Sequence, residues 1–431
     1  MKGCESYQLA ESRRSTDLGW KVTRRGLLAS LGLGAAALLS GKSAIAQLVL
    51  SDAATDHDSD IIVNIFLRGG MDGLSAVVPY GEDAYHRGRP NLRLRAPSDL
   101  SAGQAYQVLD LDGFFGLNPA MASLLPLYKD GSLAVVHAVG SGDQTRSHFE
   151  AMNAMERGMY QVRGGAQTGW VARHLASTPR KNPTPLRAVA LSSVTPDSLR
   201  GASHSTTMAN LTDFRLADPE LREMLEALYG NGKDAMAQAG RDTLDVLQKL
   251  GGINVESRSQ AYPNSDLGRA LSQVATLVRA DVGLEIACLE MGGWDTHVAQ
   301  GTVSGWLPSY LKDLSDALAA FVKDMGSAMR RITVIVQTEF GRRVNENTGL
   351  GTDHGRASAM FLLGGSVNGG RVFADWPGME ASQLDEVGDL RVTTDYRDVL
   401  GDALSRRVRG SRPGEVFPGW QASQAGYFRR S

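Results

Sequence analysis

Continuous apolar runs constrain this chain more than any other feature. Ile61–Leu67 reads IIVNIFL, residues 284–291 read LEIACLEM and Ile332–Thr338 reads ITVIVQT; residues 133–138, 186–191 and 359–363 are of the same kind. None alternates polar with apolar positions as a strand with one wet face does. Such short runs are strands buried on both faces, the condition of parallel strands covered by helices on each side. Helical spacing fills the intervals: residues 119–129, residues 149–157, a region from about 213 to 280, and residues 396–408. In that third region Asp218-Pro219-Glu220 opens one helix. Trp306–Met325 carries Leu307, Leu311, Leu314, Leu318, Phe321 and Met325 along one helical face. The expected fold is α/β, a three-layer α/β/α sandwich around a mostly parallel sheet. Its first strand, Ile61–Leu67, should run parallel to residues 284–291 and to Ile332–Thr338.

The residues with chemistry to offer stand where these runs end. The first run breaks at Arg68-Gly69-Gly70-Met71-Asp72-Gly73. Residues 284–291 run into Gly292-Gly293-Trp294-Asp295-Thr296-His297, and Ile332–Thr338 into Glu339-Phe340-Gly341-Arg342. Asp353-His354-Gly355 precedes the run at 359–363. Acids and histidines at strand ends collect at the carboxyl edge of a parallel sheet, where open α/β folds bind ligands. Carboxylate oxygens and imidazole nitrogens are donors for divalent ions. The expected ligands are Asp72, Asp295, His297, Glu339 and His354, with His148 as a further candidate. They would hold one or two ions, zinc, manganese or calcium. Asp295 and His297, one residue apart, face the same side of an extended segment. Taken singly, each has a plainer reading, as a helix cap or a polar residue filling a niche.

Ser147 stands where a loop meets a helix start, a position that favours an alkoxide. It is the candidate nucleophile, with Thr145 and Ser75 as competitors. It also reads as an N-cap paired with Glu150 in a capping box. Arg68, Arg146 and Arg342 flank these segments and suit a tetrahedral oxyanion.

A formal charge of −2, with basic residues scattered, gives no electrostatic case for nucleic acid or an anionic membrane. Thr23-Arg24-Arg25-Gly26-Leu27-Leu28, an apolar run to Leu39 and Ala44-Ile45-Ala46 read as a leader with a cleavage site, residues 1–46. Its paired arginines fit the twin-arginine translocase, which exports folded chains. Its apolar run is too short for a stable membrane anchor. Residues 47–60 read as a linker and 61–431 as one domain, placed in the periplasm or secreted. Cleavage removes Cys4 and leaves Cys288 alone in an apolar strand, a small hydrophobe with no disulfide partner.

Together the leader, the Arg68–Leu74 turn, Arg146-Ser147-His148-Phe149, Gly293-Trp294-Asp295-Thr296-His297, Thr338-Glu339-Phe340-Gly341-Arg342 and Asp353-His354-Gly355 resemble the bacterial family known as domain of unknown function 1501. The likeness spans essentially the whole mature chain. That family is grouped with the alkaline phosphatase and sulfatase superfamily, which implies an alkaline-phosphatase-like sandwich with metals at the sheet's carboxyl edge. Asp72 resembles the superfamily's first-strand aspartate ligand, and Asp295 with His297 its Asp-and-His pair at shorter spacing. His354 resembles its last histidine ligand. Glu339-Phe340 stands where Asp-His is common, so one expected histidine is missing and His148 is the candidate to replace it. No cysteine stands in a formylglycine-sulfatase context. The resemblance implies an exported metal-dependent hydrolase of phosphate or sulfate esters, on a small-molecule or polymer substrate. The competing reading is a non-catalytic exported protein that keeps the fold to bind another secreted protein.

Overall fold

The computed structural model describes residues 60–160, 166–181, 183–212, 219–232, 234–251, 262–421 and 426–429. The expected leader, the linker up to residue 59 and Asp218 lie outside them. Nine strands form the main sheet: β1 Ile61–Leu67, β2 Leu133–Gly140, β3 Ala188–Leu191, β4 Ser205–Met208, β5 Ile286–Met291, β6 Ile332–Thr338, β7 Ser358–Leu363, β8 Val372–Phe373 and β9 Thr394–Asp395. Their order is β8-β2-β7-β6-β1-β5-β3-β4, with β9 also on β2. β1 is central and parallel to both neighbours, Val63 lying opposite Ala287 on β5 and Val334 on β6. Among the described strands of this sheet, only β7 opposes its neighbours, pairing antiparallel with β2 and β6.

Among the described residues, the α-helices of eight residues or more are α1 His148–Glu156, α2 Trp170–Ser177, α3 Pro219–Tyr229, α4 Ala235–Gly251, α5 Asp266–Arg279, α6 Trp306–Met325 and α7 Tyr396–Arg407. Successive side chains on a strand point to opposite faces, and β1 separates the two cores accordingly. Ile61, Val63, Ile65 and Leu67 pack with Leu271 and Val274 of α5 and Leu311, Leu314 and Phe321 of α6. Ile62 and Phe66 pack with Met155 of α1, Trp170 of α2 and Tyr396, Val399 and Leu400 of α7. The α/β sandwich is therefore three-layered, with seven buried residues in a row on β1. The helix expected over residues 119–129 divides instead into a 3-10 turn, Pro119–Leu124, and a short α-helix, Leu125–Lys129. Pro126 has no N–H with which to continue the ladder.

At the amino-terminal edge of the sheet, Glu285 accepts hydrogen bonds from Arg187 Nε at 2.8 Å and lies 2.7 Å from His174 Nε2, all three side chains buried. Burial alone would raise this carboxyl, but the hydrogen bonds from His174 and Arg187 outweigh it and hold it at about 2. A carboxylate depressed on folding contributes stability above its unfolded pKa and loses it as pH falls through the folded value. Glu285→Gln is therefore expected to flatten the fall in stability between pH about 4.5 and about 2, a component on the order of 3 kcal/mol in the wild type. Urea midpoints across that range check it. Superposable acid limbs would assign the acid lability to other groups.

Candidate metal centre

The opposite, carboxyl edge gathers the loops that leave β1, β5 and β6. After β1 the chain turns at Gly69, whose φ of +120° suits glycine, and a Cβ there would stand 2.6 Å from the backbone nitrogen of Asp295. Glycine thus lets the β1 loop lie directly against the segment that leaves β5. Glu339 comes directly after the last residue of β6. His354 precedes β7, and because β7 runs backwards its start lies at the edge where its neighbours end. His148 opens α1 at the same edge, behind Ser147 at the N-cap.

His148, Asp295 and His354 each place a ligand atom within 4.8 Å of the others. His354 Nε2 is 3.1 Å from Asp295 Oδ1, and its Nδ1 is 2.9 Å from the carbonyl of Arg146. An Nδ1–H donated to that carbonyl leaves the Nε2 lone pair facing Asp295. His148 is arranged the same way, Nδ1 lying 2.7 Å from Glu339 Oε1 while Nε2 stands 3.4 Å from Asp295 Oδ2. That Nε2 is buried and has no hydrogen-bond partner. His297 Nε2 adds itself at 3.0 Å from Asp295 Oδ1 and 2.9 Å from His354 Nε2. Burial disfavours protonated His148, but the adjacent carboxylates of Asp295 and Glu339 prevail and push it up to about 9. Asp295 is held well below the usual carboxylate range; burial opposes this and is outweighed by His148, His297, His354 and Arg342. Imidazole nitrogens converging on a carboxylate, with His148 and His354 each anchored through Nδ1, fit a divalent ion, which would displace the proton from His148 Nε2.

Two expected ligands stand apart from this cluster. Asp72 is fully buried; Arg89 Nη1 and Nη2 donate to its two oxygens at 2.6 and 3.0 Å, and Ser75 and Gln300 donate to Oδ2. Its lone pairs are spent inside the protein. Glu339 accepts from the Gly69 N–H at 2.8 Å and the Thr338 hydroxyl at 3.0 Å, and its contact with His148 orients that ring.

The arginines are also committed. Arg342 is buried and donates to the carbonyls of Gly69, Gly70, Trp294 and Thr352 and to Asp295 Oδ1, so it staples three loops together. Arg68 bridges Glu156 and Glu290 at 2.9 and 2.6 Å. Arg146 donates to Asp389. Of the candidate nucleophiles, Ser75 donates to Asp72 and Thr145 to Glu150. Ser147 occupies the N-cap of α1 but its side chain makes no capping bond, so the expected capping box is not formed. Cys288 is buried and free, as read from the sequence.

Fold and site together define an α/β protein with an acid–imidazole cluster at the carboxyl edge of a mostly parallel sheet. The chain belongs to the family described as protein of unknown function (DUF1501), whose model matches residues 59–416. Among solved structures it is similar to two mutants of TAB5 alkaline phosphatase with Mg bound in the M3 site, at 10% and 11% identity. Both alignments cover 73% of this chain and 94% of the phosphatase, with TM-scores of 0.32 and 0.31. No curated protein matches the sequence. Among the described residues, no helix is long and apolar enough to cross a membrane.

Proposed function

We propose that this protein is an exported metal-dependent hydrolase of phosphate or sulfate esters, carried to the periplasm or beyond by the twin-arginine translocase. The observation that supports it most is the convergence of His148, Asp295 and His354 within 4.8 Å. These three would hold the ion, with His297 at its flank and Glu339 orienting His148. A divalent ion held there would supply polarisation of an ester oxygen and a lower pKa for an attacking hydroxyl. Ser147 is the nucleophile of this reading: its hydroxyl caps no backbone N–H, and it stands one residue before His148 at a helix N-terminus.

The test is a titration of the purified mature chain with Zn²⁺, Mn²⁺ and Ca²⁺, and then assay on p-nitrophenyl phosphate and p-nitrophenyl sulfate. About one equivalent of bound metal is expected, with turnover that Ser147→Ala abolishes while metal binding persists. Absence of stoichiometric metal would sink the reading. The second reading, a non-catalytic exported binding protein, draws on the commitment of Asp72 to Arg89 and of Glu339 to His148, which among the described residues leaves a three-donor site where two-ion catalysis needs more ligands. Metal bound without turnover of either ester would favour it.

A further inference from the structure

Beside the metal centre, arginines outnumber the acids they meet. Arg146 donates to one oxygen of Asp389, which is fully buried, and Arg343 Nε stands 3.9 Å from the other oxygen of that carboxylate. Arg356 donates to Asp385, and Arg391 Nε stands 3.7 Å from it. The Asp385 N–H donates to the Asp389 carbonyl at 2.9 Å, so one tight loop carries both acids. Asp353 adds a third, its Oδ2 3.8 Å from Arg343 Nη1. Four guanidiniums therefore face three carboxylates.

Arg343 is the loosely held member. Neither of its two ion pairs is within hydrogen-bond distance, and its Nε is buried without a partner. Arg342 and Arg68, by contrast, spend their donors inside the protein. Contacts join Arg343 to the ligand cluster from two directions. On one side Asp353 Oδ1 lies 3.4 Å from His297 Nδ1, and His297 Nε2 lies 2.9 Å from His354 Nε2. On the other, Asp389 links Arg343 to Arg146, whose carbonyl is 2.9 Å from His354 Nδ1. The ring of contacts closes on His354. His297, Asp353 and Arg343 are each partly exposed, at 36%, 46% and 35% of the side chain, so the reach from the imidazoles to the guanidinium is open to solvent along its length. One carboxylate, Asp353, separates Arg343 from His297, which makes the arginine a place for an anion distinct from the ion's own.

We infer that the substrate of this site carries two anionic groups: the ester head meets the ion, and a second carboxylate, sulfate or phosphate is taken up by the Arg343 guanidinium, with Arg146 adding its charge. This names the substrate class of the proposed function, a polyanionic ester, and rests on its metal site. A planar guanidinium with unused donors suits such a group, which it can bind through two parallel hydrogen bonds.

The test uses zinc-loaded protein and calorimetric binding of two matched pairs: propylphosphonate with 3-phosphonopropanoate, and hexylphosphonate with 6-phosphonohexanoate. Members of a pair share the head and differ by a terminal carboxylate. In at least one pair the carboxylate should tighten binding about fivefold or more, the yield of one well-formed pair at a half-buried arginine. Arg343→Gln should bring that ratio to about one while zinc and the alkylphosphonates still bind. Arg343→Lys, which keeps the charge and loses the planar fork, should retain part of it. The backbone of residue 343 keeps its bonds to Asp353 and Arg89 in both variants, so the loop is preserved. Equal binding within both pairs by zinc-loaded wild type overturns the inference and leaves the metal reading standing. An Arg343→Gln protein that weakens alkylphosphonates as much as their carboxylate partners would put the ester head itself on the arginine, and also overturns it. Failure to bind zinc overturns both.

Discussion

Asp72→Ala is expected to lower unfolding free energy by about 3–5 kcal/mol, because it strands the Arg89 guanidinium in the interior without a counter-charge. Both side chains are fully buried, and Arg89 grips the two carboxylate oxygens at 2.6 and 3.0 Å. Burial pushes the Asp72 carboxyl up, yet Arg89 outweighs it and keeps the group ionised. Replacing both charges with apolar groups of similar volume, Asp72→Leu with Arg89→Met, should recover a large share of the loss. Urea unfolding measures the change. Zinc affinity should hold in any Asp72 variant that remains folded, since the carboxylate lies outside the ligand cluster. A stable Asp72→Ala protein that has lost its metal would reverse the assignment and make Asp72 a ligand after all.

The second large effect falls on metal-linked stability. An ion bound only to the native chain stabilises it by mass action, about 4 kcal/mol when free metal is a thousandfold above its dissociation constant. A chelator should therefore lower the wild-type melting temperature by several degrees and leave His354→Ala almost unmoved. His297→Ala should respond between the two, because its Nε2 touches Asp295 and His354 from the flank and is not among the three converging groups. Glu339→Gln keeps every ligand but removes the charge behind His148, so zinc should bind about 10–100-fold more weakly. Equal chelator response in wild type and His354→Ala would remove His354 from the site.

The leading features of this architecture are legible in the chain because burial leaves its mark on composition. β1, β6 and α6 begin and end where the apolar runs and the helical stripe predict. β4 carries no such mark: it reads STTM, three of its residues are only half-buried, and a polar edge strand has no apolar run to announce it. β8 and β9 are two residues long, too short to carry any periodicity. α2 holds Trp170, Val171 and Leu175 on a buried face but spans only eight residues between turns, little for a pattern to build on.

At the carboxyl edge the residue types are visible in the chain and their allegiances are not. The order of residues along the chain is enough to bring Asp72, Asp295, Glu339 and their neighbouring histidines to one end of the sheet, because strands buried on both faces must end there. Which carboxylate faces the imidazoles depends on contacts that form only in the folded chain. Arg89 reaches Asp72 from a helix turn 17 residues away and removes it from the ligand set. Glu339 is drawn to the Gly69 N–H, 270 residues away along the chain, and to His148. The reversal of β7 brings in His354, a residue before its strand and not after it. These are contacts between segments far apart in sequence, and no local periodicity encodes which long-range donor arrives first at a given carboxylate.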